Sequence, residues 1–549
     1  MKATDVTQDS LDVPKAAATL TELVRDVAQR DGAKPALIFA DQPISYADLD
    51  IRIERAANGL ALCGIVPGDR VALLVPNIPE FVIAYYAVLR CGGIVVPINV
   101  LYKAEEIAYV LQDSEAKAFI LYAGFAAQAI GGAAKAPSVS HVIVVGDAAP
   151  EGTTSWESLT DASSPERAPV RVSPGDIATI CYTSGTTGPS KGAMLTHRNF
   201  VSNCEQLDRT DRGCAKRSDV LLLVLPLFHI YAMNCAMNAF LRAGATIVLV
   251  RRFDPLLVLE QIQKHRCNIF HGAPPMYIAW VNTPTLGEYD LSSMRVAFSG
   301  AAPLPTQVLD RFRTVTGVEI VEGYGLTEAS PVTHSNCAVT VTKPGTVGRP
   351  LPGVEVRLVD EEDRDVAPGA PREIICRGEN ITIGYWRKPE ATAEALRDGW
   401  LRTGDIATID EDGYYRIVDR KKDMIDAGGF KVWPREVEEV LFRHPAVREA
   451  AVVAMPDAYL GERPMAYIAL KEAESATGEA LIAYCKEHLA IFKVPCLIKF
   501  RDELPKLPTG KVLRRVLRDE ARQLAPAMES RVANVSSSSS GAVRGHAAA

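Results

Sequence analysis

Residues 182–192 read Tyr-Thr-Ser-Gly-Thr-Thr-Gly-Pro-Ser-Lys-Gly, a stretch holding five Ser and Thr hydroxyls, three glycines and one lysine. Glycines let backbone N–H groups turn toward an anion, hydroxyls add donors, and a lysine adds mobile positive charge. Thr183, Ser184, Gly185, Thr186, Thr187, Gly188 and Lys191 therefore suit phosphate groups, with a triphosphate as the natural occupant. The common Gly-Lys-Ser/Thr phosphate loop is not present, because Ser190 precedes Lys191 and Gly192 follows it. The same composition also occurs in plain linkers, so the segment cannot stand alone as evidence.

Three further segments could do chemistry: Glu322-Gly-Tyr-Gly-Leu-Thr-Glu328, Leu401-Arg-Thr-Gly-Asp405 and Pro508-Thr-Gly-Lys511. Tyr324 lies between Gly323 and Gly325, where no neighbouring side chain covers its aromatic face. Glu328 offers a hard oxygen ligand, and Asp405 offers two acceptors. Taken singly, each has a plainer reading: a core tyrosine, a solvated carboxylate, a turn cap and, for Lys511, surface charge.

The elements that must position these residues are legible from periodicity. Residues 71–75 read as a strand, 80–89 as a helix begun by Pro79 and stopped by Gly92-Gly93, and 94–97 as a second strand. The helix buries Phe81, Ala84, Tyr85 and Val88 at three-and-four spacing, and both strands look covered on two faces, as parallel strands are. Residues 176–182 read as a buried strand leading into the hydroxyl-rich loop. Beyond it, strands at 220–225, 246–249, 268–270, 294–299 and 319–321 alternate with helices near 234–241, 256–265 and 304–316. The reading is α/β, with two doubly wound subdomains before residue 340 and a small β-rich subdomain over about 345–418, where short alternating strands sit between Pro/Gly turns. Residues 419–423, Asp-Arg-Lys-Lys-Asp, are too polar for a core and suit a linker. An α+β domain follows, with a Gly428-Gly429 turn, a helix opened by Pro434, strands at 450–454 and 465–470, and a helix at 478–489. The expected division is 1–418, a hinge at 419–422, 423–525, and a disordered tail over 526–549.

Bulk properties narrow the classes. The 549 residues are 48% hydrophobic and 23% charged, as in an ordinary globular protein of more than one domain. A net charge of -7 argues against general nucleic-acid binding. Eleven cysteines without a CxxC pair suit a reducing compartment better than a disulfide scaffold or zinc site. Neither a signal peptide nor an integral membrane span is apparent, so the expected location is the cytoplasm.

In their order along the chain, the four motifs resemble the adenylate-forming superfamily of acyl-CoA synthetases, adenylation domains and luciferases, over roughly residues 20–525. The resemblance implies ATP, Mg²⁺ and coenzyme A as cofactors. It assigns Tyr324 to the adenine, Thr327 to the α-phosphate, Glu328 to Mg²⁺, and Asp405 with Arg420 to the ribose. Gly300, Ala301, Ala302, Gly323, Gly325 and Ile417 join the nucleotide site, and Lys191 offsets charge on the outer phosphates. Lys511 is implied to reach from the C-terminal domain into the first active site, where it bridges carboxylate and phosphate. That requires a mobile C-terminal domain turning about a linker residue matching Lys422.

The segment Leu225-Pro-Leu-Phe-His-Ile-Tyr-Ala-Met-Asn234 is similar to the family's acyl-pocket motif. His229 would otherwise read as a satisfied core histidine; the resemblance places it beside the carboxylate. Phe228, Ile230, Tyr231, Met233, Met276, Tyr277, Phe298, Pro331 and Val332 would finish an apolar pocket, with Gly300, Ala301 and Ala302 at its edge. An apolar acid is favoured over an amino acid, whose ammonium would need an acidic partner. Residues 228–234 look like coumarate ligases and 419–439 like bacterial fatty acyl-CoA synthetases, pulling toward aryl and alkyl acids respectively. The expected activity is ATP-dependent formation of an acyl-adenylate from a medium- or long-chain fatty acid, then a thioester with CoA. An aryl-CoA ligase, or an acyl-AMP ligase serving a separate carrier protein, is the alternative. A non-catalytic acyl-nucleotide sensor is disfavoured by the intact Lys191, Glu328 and Lys511. Met233 stands where some long-chain members carry a gating tryptophan, and Asp426 and Lys431 depart from the coumarate-ligase pattern. Gly428 and Gly429 are retained and would admit the narrow pantetheine arm of CoA. The partners are the acid and CoA, with room left for a homodimer.

Overall fold

The computed structural model describes residues 18–525 except 148, 167–169, 184–188, 211, 213–214, 367–368, 473 and 508–509. Ser184, Gly185, Thr186, Thr187 and Gly188 of the hydroxyl-rich loop, and the 526–549 tail, lie outside the described residues. Among the described residues the chain forms four sheets.

The first runs Thr154–Ser155, His141–Val145, Ala118–Tyr122, Arg70–Leu74, Ile94–Pro97, Ile177–Thr183, Lys191–Thr196. Every pairing is parallel except the last, in which Ile177–Thr183 and Lys191–Thr196 form an antiparallel pair with Thr183 opposite Lys191. The hydroxyl-rich loop thus joins two antiparallel strands at a sheet edge, which brings its first and last functional residues back together.

The second sheet has nine strands and a parallel centre: Ile320–Gly325, Val296–Ser299, Ile269–Gly272, Val220–Leu223, Thr246–Leu249 and Pro35–Phe39. Helix Pro79–Arg90 is buried at every position but Glu80, and both sheets feed one continuous core. Where parallel strands are covered on both faces, ligands gather at their carboxyl ends. Four neighbouring strands of this sheet carry site residues just beyond or at that end: Phe228 to Tyr231, Met276, Gly300 to Ala302, and Tyr324 with Gly325.

The β-rich subdomain has Trp400–Ile409 at its middle, paired with Arg372–Arg377 on one side and Tyr415–Arg420 on the other. The C-terminal unit is a sheet of Ile425–Ala427, Phe430–Val432, Val447–Asp457, Gly461–Leu470 and Leu497–Phe500, with helices Pro434–Phe442 and Gly478–His488 around its own core. The linker differs from expectation. Tyr415–Arg420 runs into the charged stretch, and Asp419 is buried rather than solvated. A hydrogen bond and an ion pair make that tolerable: the Arg435 backbone N–H donates to Asp419 at 3.0 Å, and the Arg514 guanidinium lies 3.6 Å away.

The helix expected near 234–241 is displaced and wider. Tyr231–Asn238 is a π-helix, followed by Ala239–Ala243 as an α-helix. The Ala239 N–H reaches back five residues to the Asn234 carbonyl, the hydrogen bond that defines the wider turn.

Candidate active site

A cavity of about 2210 Å³ opens where the second sheet, the β-rich subdomain and the C-terminal unit meet. Its lining includes Thr183, Lys191, Phe228, His229, Ile230, Tyr231, Met276, Phe298, Gly300, Ala301, Ala302, Pro331 and Val332. Gly323, Tyr324, Gly325, Thr327, Glu328, Asp405, Ile417, Arg420, Lys422 and Lys511 line it as well. Residues as far apart as Thr183 and Lys511 thus share one space, larger than the roughly 300–1,000 Å³ of a single small-ligand site.

Four expected residues are not brought there; Tyr277 is fully buried in the core, its hydroxyl donating to the Phe298 carbonyl at 2.6 Å. Met233 is fully buried in the core, and Cys235 lines the cavity in its stead, because the π-helical turn presents Tyr231 and Cys235 inward. Gly428 and Gly429 form the exposed turn between Ile425–Ala427 and Phe430–Val432. Their φ of 64° and 91° satisfies a two-residue hairpin, a sufficient structural reason for both glycines. Asp426 and Lys431, the two departures flagged there, face each other across that hairpin and form an ion pair at 2.6 Å.

The turn carrying Thr327 and Glu328 is held by buried amides. Asn234 donates to the Ser330 carbonyl at 2.6 Å, Asn380 to that of Ala329 at 2.8 Å and Asn203 to that of Val332 at 2.8 Å. Asn234 is tied in turn to Asn238, which joins Tyr85 and Tyr86 of the Pro79–Arg90 helix. A Cβ on Gly325 would meet the Pro331 carbonyl oxygen at 1.9 Å, so only glycine lets the turn close.

Sequence reasoning missed Tyr385. Its hydroxyl donates to Glu328 Oε1 at 2.8 Å, and its ring lies 5.3 Å beneath Lys191 Nζ. One aromatic ring therefore links the loop lysine to the carboxylate expected to hold a metal. A tyrosine in Gly384-Tyr385-Trp386 carries no motif; the pairing of Ala193 with Tyr385, with the Trp386 N–H donating to the Gly192 carbonyl and the Met194 N–H to that of Gly384, seats it against the loop strands.

Tyr324, Asp405 and Arg420 form a second group. The Tyr324 hydroxyl donates to Asp405 Oδ2 at 2.7 Å, and Arg420 Nε lies 3.4 Å from Oδ1. Asp405 and Arg420 are direct partners across antiparallel strands, which fixes their spacing.

His229 and Lys511 meet at the domain boundary. The Tyr231 N–H donates to His229 Nδ1 at 3.3 Å, leaving Nε2 to carry the proton of the neutral ring. Burial, then the nearby Lys511 charge, lowers His229 to about 4, so it is neutral at physiological pH. Burial with the Arg420 charge pulls Lys511 down to about 7, against a smaller opposing pull from Asp405. No carboxylate of the described residues forms an ion pair with Lys511. It sits on a turn closed by the Gly510 N–H to the Leu507 carbonyl at 2.7 Å, pressed so closely on Pro275 that a Cβ at Gly510 would fall 2.4 Å from the proline ring.

The comparisons identify the family of a chain with this cavity. The AMP-binding enzyme family matches residues 24–386, and the AMP-binding enzyme C-terminal domain matches 436–511. The chain belongs to the AMP-binding enzyme family and is an acid–thiol ligase of the AMP-forming kind. It is similar to a long-chain-fatty-acid–CoA ligase of Bacillus subtilis, 39% identical over 93% of this chain and 96% of that one. A feruloyl-CoA synthase of Amycolatopsis is 38% identical over 86% of this chain and 92% of its own. A crystal structure of an anthranilate CoA ligase in complex with anthranoyl-AMP superposes with a TM-score of 0.88 at 30% identity, covering 94% of this chain and 99% of that one. Among the described residues no helix is long and apolar enough to cross a membrane.

Proposed function

We propose that this protein activates a medium- or long-chain fatty acid with ATP and transfers the acyl group to CoA. The observation that carries the reading is Lys511, a cation from the C-terminal unit held in the cavity beside neutral His229 and without an ion-pair partner among the described residues. Such a charge is poised for two anions at once, a carboxylate and an α-phosphate, whose mutual repulsion it offsets. The carboxylate oxygen attacks the α-phosphorus, the bond to pyrophosphate breaks, and an acyl-adenylate remains. The thiol sulfur then attacks the acyl carbon and AMP leaves with the acyl–oxygen bond pair.

On this reading Tyr324, Asp405 and Arg420 hold the nucleoside, while Lys191 and Thr183 hold the outer phosphates. Among the described residues no group of three metal-ligating side chains exists. The buried Glu328 carboxylate, with one oxygen steadied by Tyr385, fits Mg²⁺, which takes one or two carboxylates together with substrate phosphates. When bound there, Mg²⁺ would offset charge on the departing pyrophosphate. The Gly428–Gly429 turn lies outside the cavity, so a role beside the pantetheine arm requires the C-terminal unit to take a second position about residues 419–422.

Similarity to the Bacillus subtilis ligase supports the alkyl reading; the feruloyl and anthranilate relatives and an aromatic cavity wall support an aryl acid as the second. The test is an acid panel from hexanoate to palmitate plus cinnamates, with ATP, Mg²⁺ and CoA, read as AMP, pyrophosphate and acyl-CoA. Release of all three with at least one acid is expected. No AMP with any acid would defeat the ligase reading, and an adenylate that forms but ignores CoA would favour a carrier-protein acceptor.

A further inference from the structure

Just past the turn that seats Lys511, the chain enters a helix over 514–525. Its first residue, Arg514, faces two carboxylates from different parts of the fold. Nη2 donates to Glu438 Oε2 at 2.7 Å, and Nη1 lies 3.6 Å from Asp419 Oδ2. Glu438 belongs to helix Pro434–Phe442 of the same C-terminal unit, and its other oxygen accepts the Val452 N–H at 2.7 Å. Asp419 belongs to strand Tyr415–Arg420 of the β-rich subdomain, on the near side of Lys422, the expected pivot. One turn along the helix, Arg518 pairs with Asp423, which lies beyond that pivot. Of these three contacts, only that of Arg514 with Asp419 spans the joint.

Lys511 sits in the cavity with no carboxylate paired to it among the described residues, and an enclosed, unpaired charge works against this placement of the unit. Something must hold the turn in. Arg514 stands three residues away on the same segment and is already fixed by Glu438, so aligning it with Asp419 costs little further side-chain entropy. Its Nη1 is enclosed and has no hydrogen-bond acceptor among the described residues, which leaves the Asp419 charge as its compensation. We propose that Arg514 is a positioning residue whose ion pair with Asp419 latches the C-terminal unit with Lys511 in the cavity, favouring adenylation and taking no part in thiolation. The inference rests on the Lys511 reading above and adds the contact that sets how long that lysine stays.

The test takes the acid that turns over best in the panel. Adenylation is read as pyrophosphate release with ATP and no CoA, thiolation as CoA consumption with the acid's adenylate supplied and no ATP. Asp419→Asn keeps the shape and an acceptor for the Arg435 N–H and removes only the charge. The ratio of adenylation to thiolation should fall by on the order of tenfold, with the loss in kcat and not in KM for ATP. Arg514→Met should lower the ratio similarly, Arg514→Lys should recover part of it, and the double variant should fall no further than the lower single, since one contact is lost once. Arg514→Met also strips the buried Glu438 of its partner; ratios taken on one sample cancel any loss of folded protein. An unchanged ratio in Asp419→Asn, equal loss of both half-reactions, or single effects that multiply in the double variant would overturn the latch. So would a loss confined to KM for ATP, which would place the effect at the neighbouring Arg420. Each of these leaves acid activation standing; if the unaltered chain releases no pyrophosphate with any acid, that reading falls, and this inference with it.

Discussion

The placement of Lys511 makes a pH prediction that separates its proposed role from mere surface charge. An ordinary lysine titrates near 10.4; here burial and the Arg420 charge bring the ammonium to about 7 in the ligand-free chain. If the charged form must bridge carboxylate and phosphate, kcat/KM for adenylation follows the protonated fraction of free enzyme. It should fall about tenfold by pH 8 and about a hundredfold by pH 9 from its low-pH plateau. In the occupied site two anions favour the charged form, so kcat should stay level to higher pH. His229, held near 4, adds nothing to this limb. Lys511→Arg keeps its charge throughout, so its profile should be flat even where its absolute rate is lower. Lys511→Ala should suppress adenylation strongly and spare thiolation of a supplied acyl-adenylate. Initial rates of pyrophosphate release across pH 6 to 9.5 decide the matter. A flat wild-type kcat/KM, or a limb that survives in Lys511→Arg, refutes the reasoning. The stability sign follows from the same depression. The folded chain binds fewer protons than the unfolded chain between about 7 and about 10.5, so the penalty of charging Lys511 is fully present below that window and is relieved as pH rises through it. Lys511→Met should therefore raise Tm more at pH 6.5 than at pH 9.5.

Tyr385→Phe keeps the ring beneath Lys191 but removes the donor to Glu328. A hydrogen bond to a charged group is worth about 1.5–3 kcal/mol, so adenylation should drop roughly ten- to hundredfold with a raised Mg²⁺ requirement; an unchanged Mg²⁺ titration would count against the site. Gly510→Ala drives a methyl into the Pro275 ring at a φ of 79° that already disfavours a side chain. Single-turnover assays should show adenylation impaired and thiolation spared, and equal loss of both would mean a folding defect. Asn234→Ala strips the fully buried Ser330 and Phe200 carbonyls of their amide donor. Thermal melting should register a loss of about 1–3 kcal/mol, and an unaltered Tm would show that other groups hold the turn.

The parallel strands were legible because burial on both faces leaves an uninterrupted apolar run: Thr246–Leu249 and Ile94–Pro97 lie where the apolar pattern puts them. Their neighbours were not. Pro35–Phe39 completes the same sheet against Thr246–Leu249, a pairing between residues some two hundred positions apart that no local pattern encodes. The same divide runs through the site. Tyr324, Glu328, Asp405 and Lys511 stand in glycine-bearing segments at strand ends, in strands or in turns, where chemistry and backbone need mark a segment together. Tyr385 and His271 stand in aromatic and apolar runs that read as core, and pairing with neighbouring strands brings them to the cavity wall. Met233 was misplaced for a related reason: its facing depends on the π-helical turn, which has no compositional signature.

The boundary of the C-terminal unit bears on how one cavity could serve two half-reactions. Where it meets the β-rich subdomain, the contacts are polar: the Arg435 backbone N–H and the Arg514 guanidinium on Asp419, the Arg435 guanidinium on the Ile417 carbonyl, and Lys421 near Glu373 at 3.3 Å. A large apolar contact would have to be exposed before the unit could turn, at about 25 cal/mol for each Å² uncovered. Charged groups carry no such penalty on reaching water, since hydration replaces much of what the ion pairs supplied. A linker too polar for a core, with one buried aspartate anchored from both sides, therefore suits a joint that opens. The C-terminal unit carries two glycine turns, one seating Lys511 in the cavity and the other, Gly428–Gly429, left in solvent. A unit that offers one turn at a time has a physical reason to keep its boundary polar.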